Sequence, residues 1–201
     1  MQKKDSNVKR HEIKFVFTNK DENKFLKSYQ LKKIFPDRIV ESLYYDTNDF
    51  KFFHLSEEGV TPRIKIRIRG YNNNILDNLE IKKTNDYDRE KFVIKNFNFN
   101  FIKFYQHLKK IGIKEIVEEK LRVKYSRSYY YLENIGRVTF DKDIRFCIPG
   151  NANNLTVKTN HSVMEVKVKT DYFDKNKIEK FLNLKESRFS KYCTGINNIY
   201  N

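Results

Sequence analysis

Cysteine and histidine are scarce in this 201-residue chain, which contains two cysteines and four histidines. Cys147 and Cys193 lie far apart and neither belongs to a Cys-x-x-Cys pair, which argues against a disulfide framework and a cysteine zinc site. The histidines show no metal-ligand spacing, so we expect no histidine-rich metal centre. This sparing use of cysteine suits a reducing compartment, and we expect a cytoplasmic protein.

Long apolar runs are missing as well. No stretch approaches the roughly 20 residues of a membrane-spanning helix, and residues 1–10 lack the apolar segment of a signal peptide. We therefore expect no membrane segment in this chain. The sequence also shows no internal repeat, low-complexity linker or break in composition, and it predicts a flexible N-terminus at 1–9 followed by a single domain over 10–201.

Positive charge is abundant by contrast, with 41 Lys and Arg residues against 26 Asp and Glu residues and a formal net charge of +15. A field of this sign attracts polyanions, among them nucleic acid, nucleotides, polyphosphate and acidic membrane surfaces. The basic residues do not form a tail. They lie within strand-like alternations, where a role in solubility alone is less natural.

The clearest alternation is Arg-Ile-Lys-Ile-Arg-Ile-Arg at residues 63–69. Side chains of a strand alternate between faces, so the four cations share one face of a sheet while the isoleucines pack on the other. Four like charges in a row repel one another unless a polyanion lies between them. The same alternation of charged and apolar residues recurs at 80–82, 137–141 and 165–169.

Two architectures satisfy this pattern. One is an ordinary sheet with a solvated face and a packed face. The other is a closed β-barrel with charged side chains inside and apolar side chains outside, under helices. Bound phosphates would make a charged interior workable because Arg and Lys donate charge-assisted hydrogen bonds to phosphate oxygens, and interspersed glutamates would hold a divalent ion.

One strand does not follow the pattern. Arg127 has the same parity as Leu121, Val123 and Tyr125, whereas an interior cation should alternate with such apolar residues. Either a bulge shifts the register of this strand, or Arg127 lies at the rim of the barrel.

The coarse secondary structure is that of an α+β domain dominated by about eight antiparallel strands. Strands are predicted at 11–17, 40–45, 62–70, 79–83, 89–95, 118–131, 136–145 and 162–169. Helices are predicted at 20–35, 99–111 and 175–182, the first ended by Pro36 and the last capped by Asp174. A turn is expected at 46–49, and residues 188–200 carry no clear pattern.

Eight short motifs follow one another along residues 10 to about 195. They are His11-Glu12-Ile13-Lys14, Ser42-Leu43-Tyr44-Tyr45-Asp46-Thr47, Arg63-x-Lys65-x-Arg67-x-Arg69, Glu80-x-Lys82, Tyr125-x-Arg127, Arg137-x-Thr139-x-Asp141, Glu165-x-Lys167 and Ser190-Lys191-Tyr192. In this order they resemble the VTC domain, the polyphosphate polymerase domain of the triphosphate tunnel metalloenzymes within the CYTH-like superfamily. Each motif is short, and the order carries the resemblance.

The resemblance implies an antiparallel eight-stranded β-barrel, a tunnel whose basic interior holds a triphosphate and a Mn²⁺ or Mg²⁺ ion. It also implies phosphoryl transfer, with polyphosphate synthesis from ATP as the leading reaction, and therefore ATP or triphosphate and polyphosphate as ligands. The implied catalytic residues are Lys14, Arg67, Arg69, Lys82 and Lys191. The further implied phosphate-binding residues are Lys65, Arg127, Arg137, Lys167 and Ser190. The implied metal ligand is Glu165, with Glu12 and Glu80 as additional candidates.

Several alternatives remain open at this point. The chain offers only Glu12-x-Lys14 where the wider superfamily has Glu-x-Glu-x-Lys, and Glu12 and Glu80 either bind metal, orient water or neutralise a neighbouring cation. A triphosphate hydrolase and a non-catalytic binder of polyphosphate or single-stranded RNA compete with the polymerase. Tyrosines at 129–131 fit a half-packed strand or a platform for bases. No specific nucleic acid is expected, because isoleucines and valines alternate with the cations where an RNA platform needs aromatics.

Overall fold

The computed structural model describes residues 10–29, 31–86, 88–133, 135–150, 156–169 and 174–200. The predicted flexible segment 1–9 lies outside the described residues. The strands are β1 (Arg10–Thr18), β2 (Lys32–Asp46), β3 (Arg63–Tyr71), β4 (Asn78–Thr84), β5 (Arg89–Ile94), β6 (Glu118–Leu132), β7 (Gly136–Cys147), β8 (Val157–Lys158) and β9 (His161–Lys169). The helices are α1 (Asn19–Ser28), α2 (Lys51–Glu58), α3 (Phe101–Lys110), α4 (Lys175–Leu182) and α5 (Lys191–Tyr200).

All the strands belong to one antiparallel sheet, in the order β1-β9-β7-β6-β2-β3-β4-β5, with the short β8 paired to β7. Side chains from β1, β3, β6 and β9 line a single cavity, so the sheet curls around its concave face. The predicted α+β class and antiparallel sheet are confirmed. The closed eight-stranded barrel is corrected: in the described residues the sheet has nine strands, and no hydrogen-bonded pairing between β1 and β5 closes it.

The convex face of the sheet carries two apolar clusters under helices. Ile64, Ile66 and Ile68 of β3 are buried with Phe104 and Leu108 of α3. The outer side chains of β1, β7 and β9 form the second cluster with α1 and α4. The alternation at 63–69 therefore places its isoleucines in the core and its cations on the concave face, because successive strand residues point to opposite sides.

A third cluster lies on the concave face, where α5 packs against one end of β6 and β7. Leu121 and Val123 are fully buried here together with Phe146 and with Tyr192 and Ile196 of α5. Beyond the helix, the same face of β6 is open to the cavity. The concave face of β6 is thus apolar where α5 covers it and polar where the cavity begins.

This arrangement corrects both explanations offered for Arg127. Arg127 lines the cavity, and its strand keeps one register against β2 from the Arg38–Arg127 pair to the Tyr44–Leu121 pair. Neither a shifted register in β6 nor a position at the rim is needed to explain Arg127. Leu121 and Val123 share its parity and are apolar because α5 covers them. The register irregularity between β6 and β7 lies on β7, where Asp143 adopts a left-handed conformation with φ of 49°.

The first predicted helix is too long. The helix ends at Ser28, and Lys32 already begins β2, so Pro36 lies within a strand. Its surroundings explain the exception: the pairing of β2 with β6 shifts register between Lys33 and Phe35 and again between Phe35 and Arg38. Proline is tolerated at such irregularities because no ladder hydrogen bond from its nitrogen is required there.

Two helices were not predicted, namely α2 and α5. Helix α2 follows the predicted turn at 46–49, and the side chain that caps it is Asp46, five residues before the helix begins. The Asp46 carboxylate accepts hydrogen bonds from the backbone nitrogens of Phe52 and Phe53, each at 2.9 Å, and thereby satisfies donors that the first turn leaves free. By contrast, α4 has the predicted Asp174 cap, which accepts from the Lys177 nitrogen at 3.1 Å.

Candidate phosphate-binding site

The cavity on the concave face has a volume of about 820 Å³. Every inward side chain of β3 lines it, from Arg63 through Lys65, Arg67 and Arg69 to Tyr71. The lining includes thirteen cationic residues: Lys14, Arg63, Lys65, Arg67, Arg69, Lys82, Arg89, Lys91, Arg127, Arg137, Lys167, Arg188 and Lys191. It includes five glutamates: Glu12, Glu57, Glu80, Glu165 and Glu186. The cavity therefore holds far more positive than negative side chains.

Glu80 fixes the two central arginines. Its Oε2 atom accepts from Arg67 Nε at 2.9 Å and lies 3.6 Å from Arg69 Nη1. Arg67 also donates to the Tyr44 hydroxyl at 3.0 Å, and Arg69 donates to the Ser42 hydroxyl at 3.0 Å. These contacts hold both guanidiniums on the cavity wall in defined orientations, which is the preorganisation that planar recognition of phosphate requires.

The pKa values of Glu80 and Tyr44 show the influence of the two central arginines. Burial by itself would raise the pKa of Glu80, but Arg67, Arg69 and Lys91 hold it well below its usual range. Burial would likewise raise the pKa of Tyr44, yet Arg67 and Arg69 lower it to about 8. Positive potential therefore dominates this part of the cavity, because it overrides the burial penalty for both acids.

Asp141 of β7 has the corresponding role for Arg127 of β6. Its two oxygens accept from Arg127 Nε at 2.6 Å and from Arg127 Nη2 at 2.7 Å, and Lys191 Nζ lies 2.5 Å from Oδ2. Burial would raise the pKa of Asp141, but Lys191 and Arg127 lower it. The Lys191 ammonium also lies over the ring of Tyr125, 4.7 Å from its centroid. A strand cation and the first residue of α5 are thus joined through one buried carboxylate.

Glu12, Glu165 and Lys167 form the third charged group. Lys167 Nζ lies 2.8 Å from Glu12 Oε1 and 2.8 Å from Glu165 Oε1. Burial would raise the pKa of Glu165, but Lys167, Arg127 and Lys14 hold it well below its usual range. Within the described ranges, no group of three or more Asp, Glu, His or Cys side chains is placed to hold a metal ion. The protein therefore offers a divalent ion two neighbouring carboxylates here.

Three cavity lysines lack a carboxylate partner in the part of the chain that the structure describes. Lys14 Nζ donates to the Phe189 carbonyl at 2.8 Å, and Lys65 Nζ donates to the Ser190 hydroxyl at 2.9 Å. Lys82 forms no hydrogen bond or ion pair with any residue that the structure describes. Burial lowers the pKa of all three ammonium groups, and with the nearby Arg67 it lowers the pKa of Lys82 to about 8. None of the three ammonium groups is bound by a carboxylate of a described residue, so each is available to an anionic ligand.

All thirteen site residues predicted from the sequence line this one cavity. Arg137 lies there beside Lys167, its partner in the pairing of β7 with β9. Ser190 lies at the start of α5, where its hydroxyl also accepts from the Cys193 nitrogen at 3.3 Å. The placement of these residues is an observation, and their individual roles remain predictions.

Asp141, Tyr125 and Arg188 were not among the site residues predicted from the sequence. The sequence does indicate Asp141, because it has the same parity as Arg137 in the alternation at 137–141. Tyr125 lines the cavity between Val123 and Arg127, and Tyr129 lines it further along, whereas Tyr130 packs in the α1–α4 cluster. No local pattern indicates Arg188, because its guanidinium is bound to the backbone carbonyls of Ser56 and Glu57, more than 130 positions earlier in the chain.

The antiparallel sheet thus carries a cation-lined cavity on its concave face. The chain belongs to the VTC domain family, whose model matches residues 8–200. No curated protein matches the sequence significantly. No helix among the described residues is long and apolar enough to cross a membrane.

Solved structures with the same fold share little sequence with this chain. The PH1819 protein of Pyrococcus horikoshii OT3 is 16% identical with a TM-score of 0.54, over 95% of this chain and 99% of that chain. The PH1012 protein of the same organism is 16% identical with a TM-score of 0.51, over 92% of this chain and 98% of that chain. A putative adenylyl cyclase of Hippeastrum, HpAC1, is 14% identical with a TM-score of 0.56, over 93% and 95%, and is described as having a dominant triphosphatase activity. At these identities the likeness concerns the fold alone.

Proposed function

We propose that this protein is a metal-dependent phosphotransferase that acts on triphosphates, and that its reaction is the synthesis of polyphosphate from ATP. The observation that carries the proposal is the excess of cations in one cavity, thirteen against five glutamates, with three lysines that lack an anionic partner among the described residues. Membership of the VTC domain family supports the proposal. The triphosphatase activity in the description of HpAC1 supports triphosphate chemistry in this fold.

A triphosphate or a polyphosphate chain is the ligand that this charge distribution fits best. Inward residues of β3 line the cavity from Arg63 to Tyr71, a distance of about 27 Å along a strand at 3.3–3.4 Å per residue. Arg67 and Arg69 are held by Glu80, and Arg127 is held by Asp141, so their guanidiniums need no reorganisation to meet phosphate oxygens. An extended polyanion can therefore contact fixed cations along the length of the cavity.

The side chains present also fit a divalent ion. Mg²⁺ in phosphate-binding sites uses one or two carboxylates and completes its coordination with phosphate oxygens and water. Glu12 and Glu165 supply two carboxylates at one place and share a single cation, Lys167. Glu80 and Asp141 instead bind the guanidiniums of Arg67 and Arg127. We therefore assign Glu165 and Glu12 to the metal and Glu80 to the positioning of Arg67 and Arg69. A bound Mn²⁺ or Mg²⁺ would supply charge neutralisation between adjacent phosphate groups.

Phosphoryl transfer needs little covalent chemistry from the protein. The bond between the β–γ bridging oxygen of ATP and the γ-phosphorus breaks, and a terminal oxygen of the polyphosphate chain forms the new bond, so that ADP leaves and the chain grows by one phosphate. We assign Arg67, Arg69, Arg127 and Lys191 to the equatorial oxygens, where charge must be neutralised in the transition state. Lys14, Lys65, Lys82, Arg137 and Lys167 are assigned to the remaining phosphates of the donor and the acceptor.

Glu12, Glu80 and Glu165 are poorly suited to activate water as general bases. An effective general base for water has a pKa raised toward neutrality. The pKa values of Glu12, Glu80 and Glu165 are all lowered, because neighbouring lysines and arginines stabilise their ionised forms. A phosphate acceptor is already ionised and requires no base. Triphosphate hydrolysis is nevertheless the second candidate, because of the activity described for HpAC1.

A single incubation distinguishes these functions. Purified protein is mixed with ATP and Mn²⁺, and free phosphate, ADP and long-chain polyphosphate are followed together. Polyphosphate with matching ADP is the result we expect, whereas free phosphate with ADP and no polymer identifies a hydrolase. No turnover while tripolyphosphate still binds identifies a binding module. The double variant Arg67→Ala/Arg69→Ala should abolish the activity.

The matched control is the double variant Arg122→Ala/Lys124→Ala. These two cations have the opposite parity on β6 and pair with Glu41 away from the cavity. The control removes the same amount of charge from the protein and should keep full activity. Loss of activity in both double variants would point to net charge and would contradict the assigned site.

A further inference from the structure

One ammonium group occupies the space between the two carboxylates assigned to the metal. Lys167 Nζ lies 2.8 Å from Glu12 and 2.8 Å from Glu165, so it bridges them as a single cation. Both carboxylates come from neighbouring strands, β1 and β9, where Glu12 is directly opposite Lys167 and Glu165 is opposite Lys14. Without Lys167, two buried like charges would face each other, which is costly.

We infer that Lys167 holds the place of the divalent ion in the ligand-free protein and is transferred to a phosphate oxygen when metal and triphosphate bind. This inference rests on the proposed function. An ammonium and a divalent cation cannot occupy the same position between Glu12 and Glu165, so one must leave when the other arrives. Lysine suits the exchange because it is a compact charge on a flexible four-carbon stem and can move while the backbone stays in place.

The exchange makes the two ligands depend on each other. Metal that binds alone must expel Lys167 into a cavity that already contains an excess of cations, among them Lys82. Triphosphate that binds at the same time offers the displaced ammonium a new partner. Metal and triphosphate should therefore bind cooperatively, each raising the affinity of the other by the same factor.

The exchange predicts that removal of Lys167 has opposite effects on the binding of the two ligands. Removal of Lys167 should weaken the binding of tripolyphosphate, because one phosphate contact is lost. The same removal should strengthen the binding of Mn²⁺ in the absence of phosphate, because the competing ammonium is gone. A lysine that only contacts phosphate would show the first effect alone.

The experiment measures Mn²⁺ binding to the full chain without phosphate, by electron paramagnetic resonance of free Mn²⁺. We expect Lys167→Met to bind Mn²⁺ at least tenfold more tightly than the wild type. Unchanged or weaker binding would overturn the inference. Lys167→Gln provides a second variant if the methionine variant does not fold, as judged by its circular dichroism.

Two further variants separate place-holding from general electrostatics. Lys65→Met removes the same charge from the same cavity, where Lys65 Nζ donates to the Ser190 hydroxyl and contacts neither carboxylate, and we expect it to change Mn²⁺ affinity less than threefold. An increase equal to that of Lys167→Met would overturn the inference. Adding Glu165→Gln to Lys167→Met should return Mn²⁺ affinity to the wild-type value or below it, and persistence of tight binding would show that the ion lies elsewhere.

The proposed function is tested separately by titration of the wild type with tripolyphosphate in the presence of Mn²⁺. If tripolyphosphate does not bind while Lys167→Met still tightens Mn²⁺ binding, the proposed function fails and the place-holding role stands. If tripolyphosphate binds and Mn²⁺ affinity is the same in the wild type and Lys167→Met, the role of Lys167 fails and the proposed function stands.

Discussion

Asp141 and Arg127 face each other on adjacent strands of the cavity wall, joined by two hydrogen bonds of 2.6 and 2.7 Å between carboxylate and guanidinium. Lys191 approaches the same carboxylate from α5 at 2.5 Å. Asp141 is completely buried. This one acid therefore orients a strand arginine and also fastens the N-terminal end of α5 to the sheet.

Replacing Asp141 should test this dual role. Asp141→Asn leaves Arg127 and Lys191 without their anion in a buried site, and we expect a loss of about 3–5 kcal/mol in the free energy of unfolding. Tripolyphosphate should restore part of this loss, because its oxygens can replace the missing carboxylate. Urea unfolding with and without tripolyphosphate measures both effects.

Asp143→Asn is the matched control for this experiment. Asp143 pairs with Lys158 at 2.6 Å, but both side chains are about half exposed. Exposed ion pairs contribute about 1 kcal/mol or less, and asparagine tolerates the left-handed backbone at this position. A cost for Asp141→Asn no larger than that for Asp143→Asn would contradict the structural role assigned to Asp141.

The central arginines should determine the affinity for phosphate. Each of Arg67 and Arg69 is expected to donate charge-assisted hydrogen bonds, which contribute about 1.5–3 kcal/mol apiece. Arg67→Ala/Arg69→Ala should therefore weaken tripolyphosphate binding by about 100-fold or more, as measured by calorimetry. The control Arg122→Ala/Lys124→Ala should bind within about twofold of the wild type. Equal losses in the two double variants would mean that binding is a diffuse effect of net charge.

Much of this site was predictable because the charged face of a strand is visible in the sequence. The cations at 63–69 alternate with isoleucines over seven residues, and β3 places them as that period requires. The orientation of Arg127 was not predictable in the same way. Its neighbours Leu121 and Val123 are apolar because α5 covers them, and the sequence around 188–200 gave no sign of that helix.

The error in the first helix has a different physical origin. Residues 20–35 contain enough apolar positions for a helix, and Pro36 is a common signal for the end of one. In the structure, pairing with β6 overrides this local preference from Lys32 onward, and the irregular register accommodates the proline. Helix α2 was missed because its cap, Asp46, precedes its first residue, Lys51, by five positions.

The lowered pKa of Lys82 should make the free energy of unfolding depend on pH. Its pKa is about 8 in the folded protein and about 10.5 in the unfolded chain. Between these two values the unfolded chain binds more protons, so the contribution of Lys82 to the free energy of unfolding rises with pH across this window. Below pH 8 both states are protonated, and the full cost of burying the charged amine remains.

The variant Lys82→Met removes this cost. We expect it to raise the free energy of unfolding at pH 7 by about 2–3 kcal/mol, and to lessen the gain in stability between pH 8 and 10.5. The same variant should weaken tripolyphosphate binding, because phosphate favours the charged amine. Denaturant titrations at pH 7, 8.5 and 10 measure the first effect. A variant less stable than the wild type at pH 7 would contradict the net cost assigned to burial of this ammonium group.

Gly195 permits the close approach of α5 to the sheet. A Cβ atom at this position would lie 2.5 Å from Leu121 Cδ2 and 2.7 Å from Phe146 Cδ1, and both side chains are fully buried. Alanine favours the helix by about 1 kcal/mol, but the overlap should outweigh this gain. Gly195→Ala should therefore lower the free energy of unfolding by about 1–3 kcal/mol.

Gly195→Ala should also affect the phosphate site, because Lys191 of that site is the first residue of α5. A helix that is pushed off Leu121 and Phe146 moves the Lys191 ammonium away from Asp141, so tripolyphosphate affinity should fall together with stability. Asn198→Ala, at an exposed position on the same helix, is the control and should raise stability by a few tenths of a kcal/mol with no change in affinity. Wild-type affinity in a destabilised Gly195→Ala protein would mean that Lys191 is positioned independently of the helix packing.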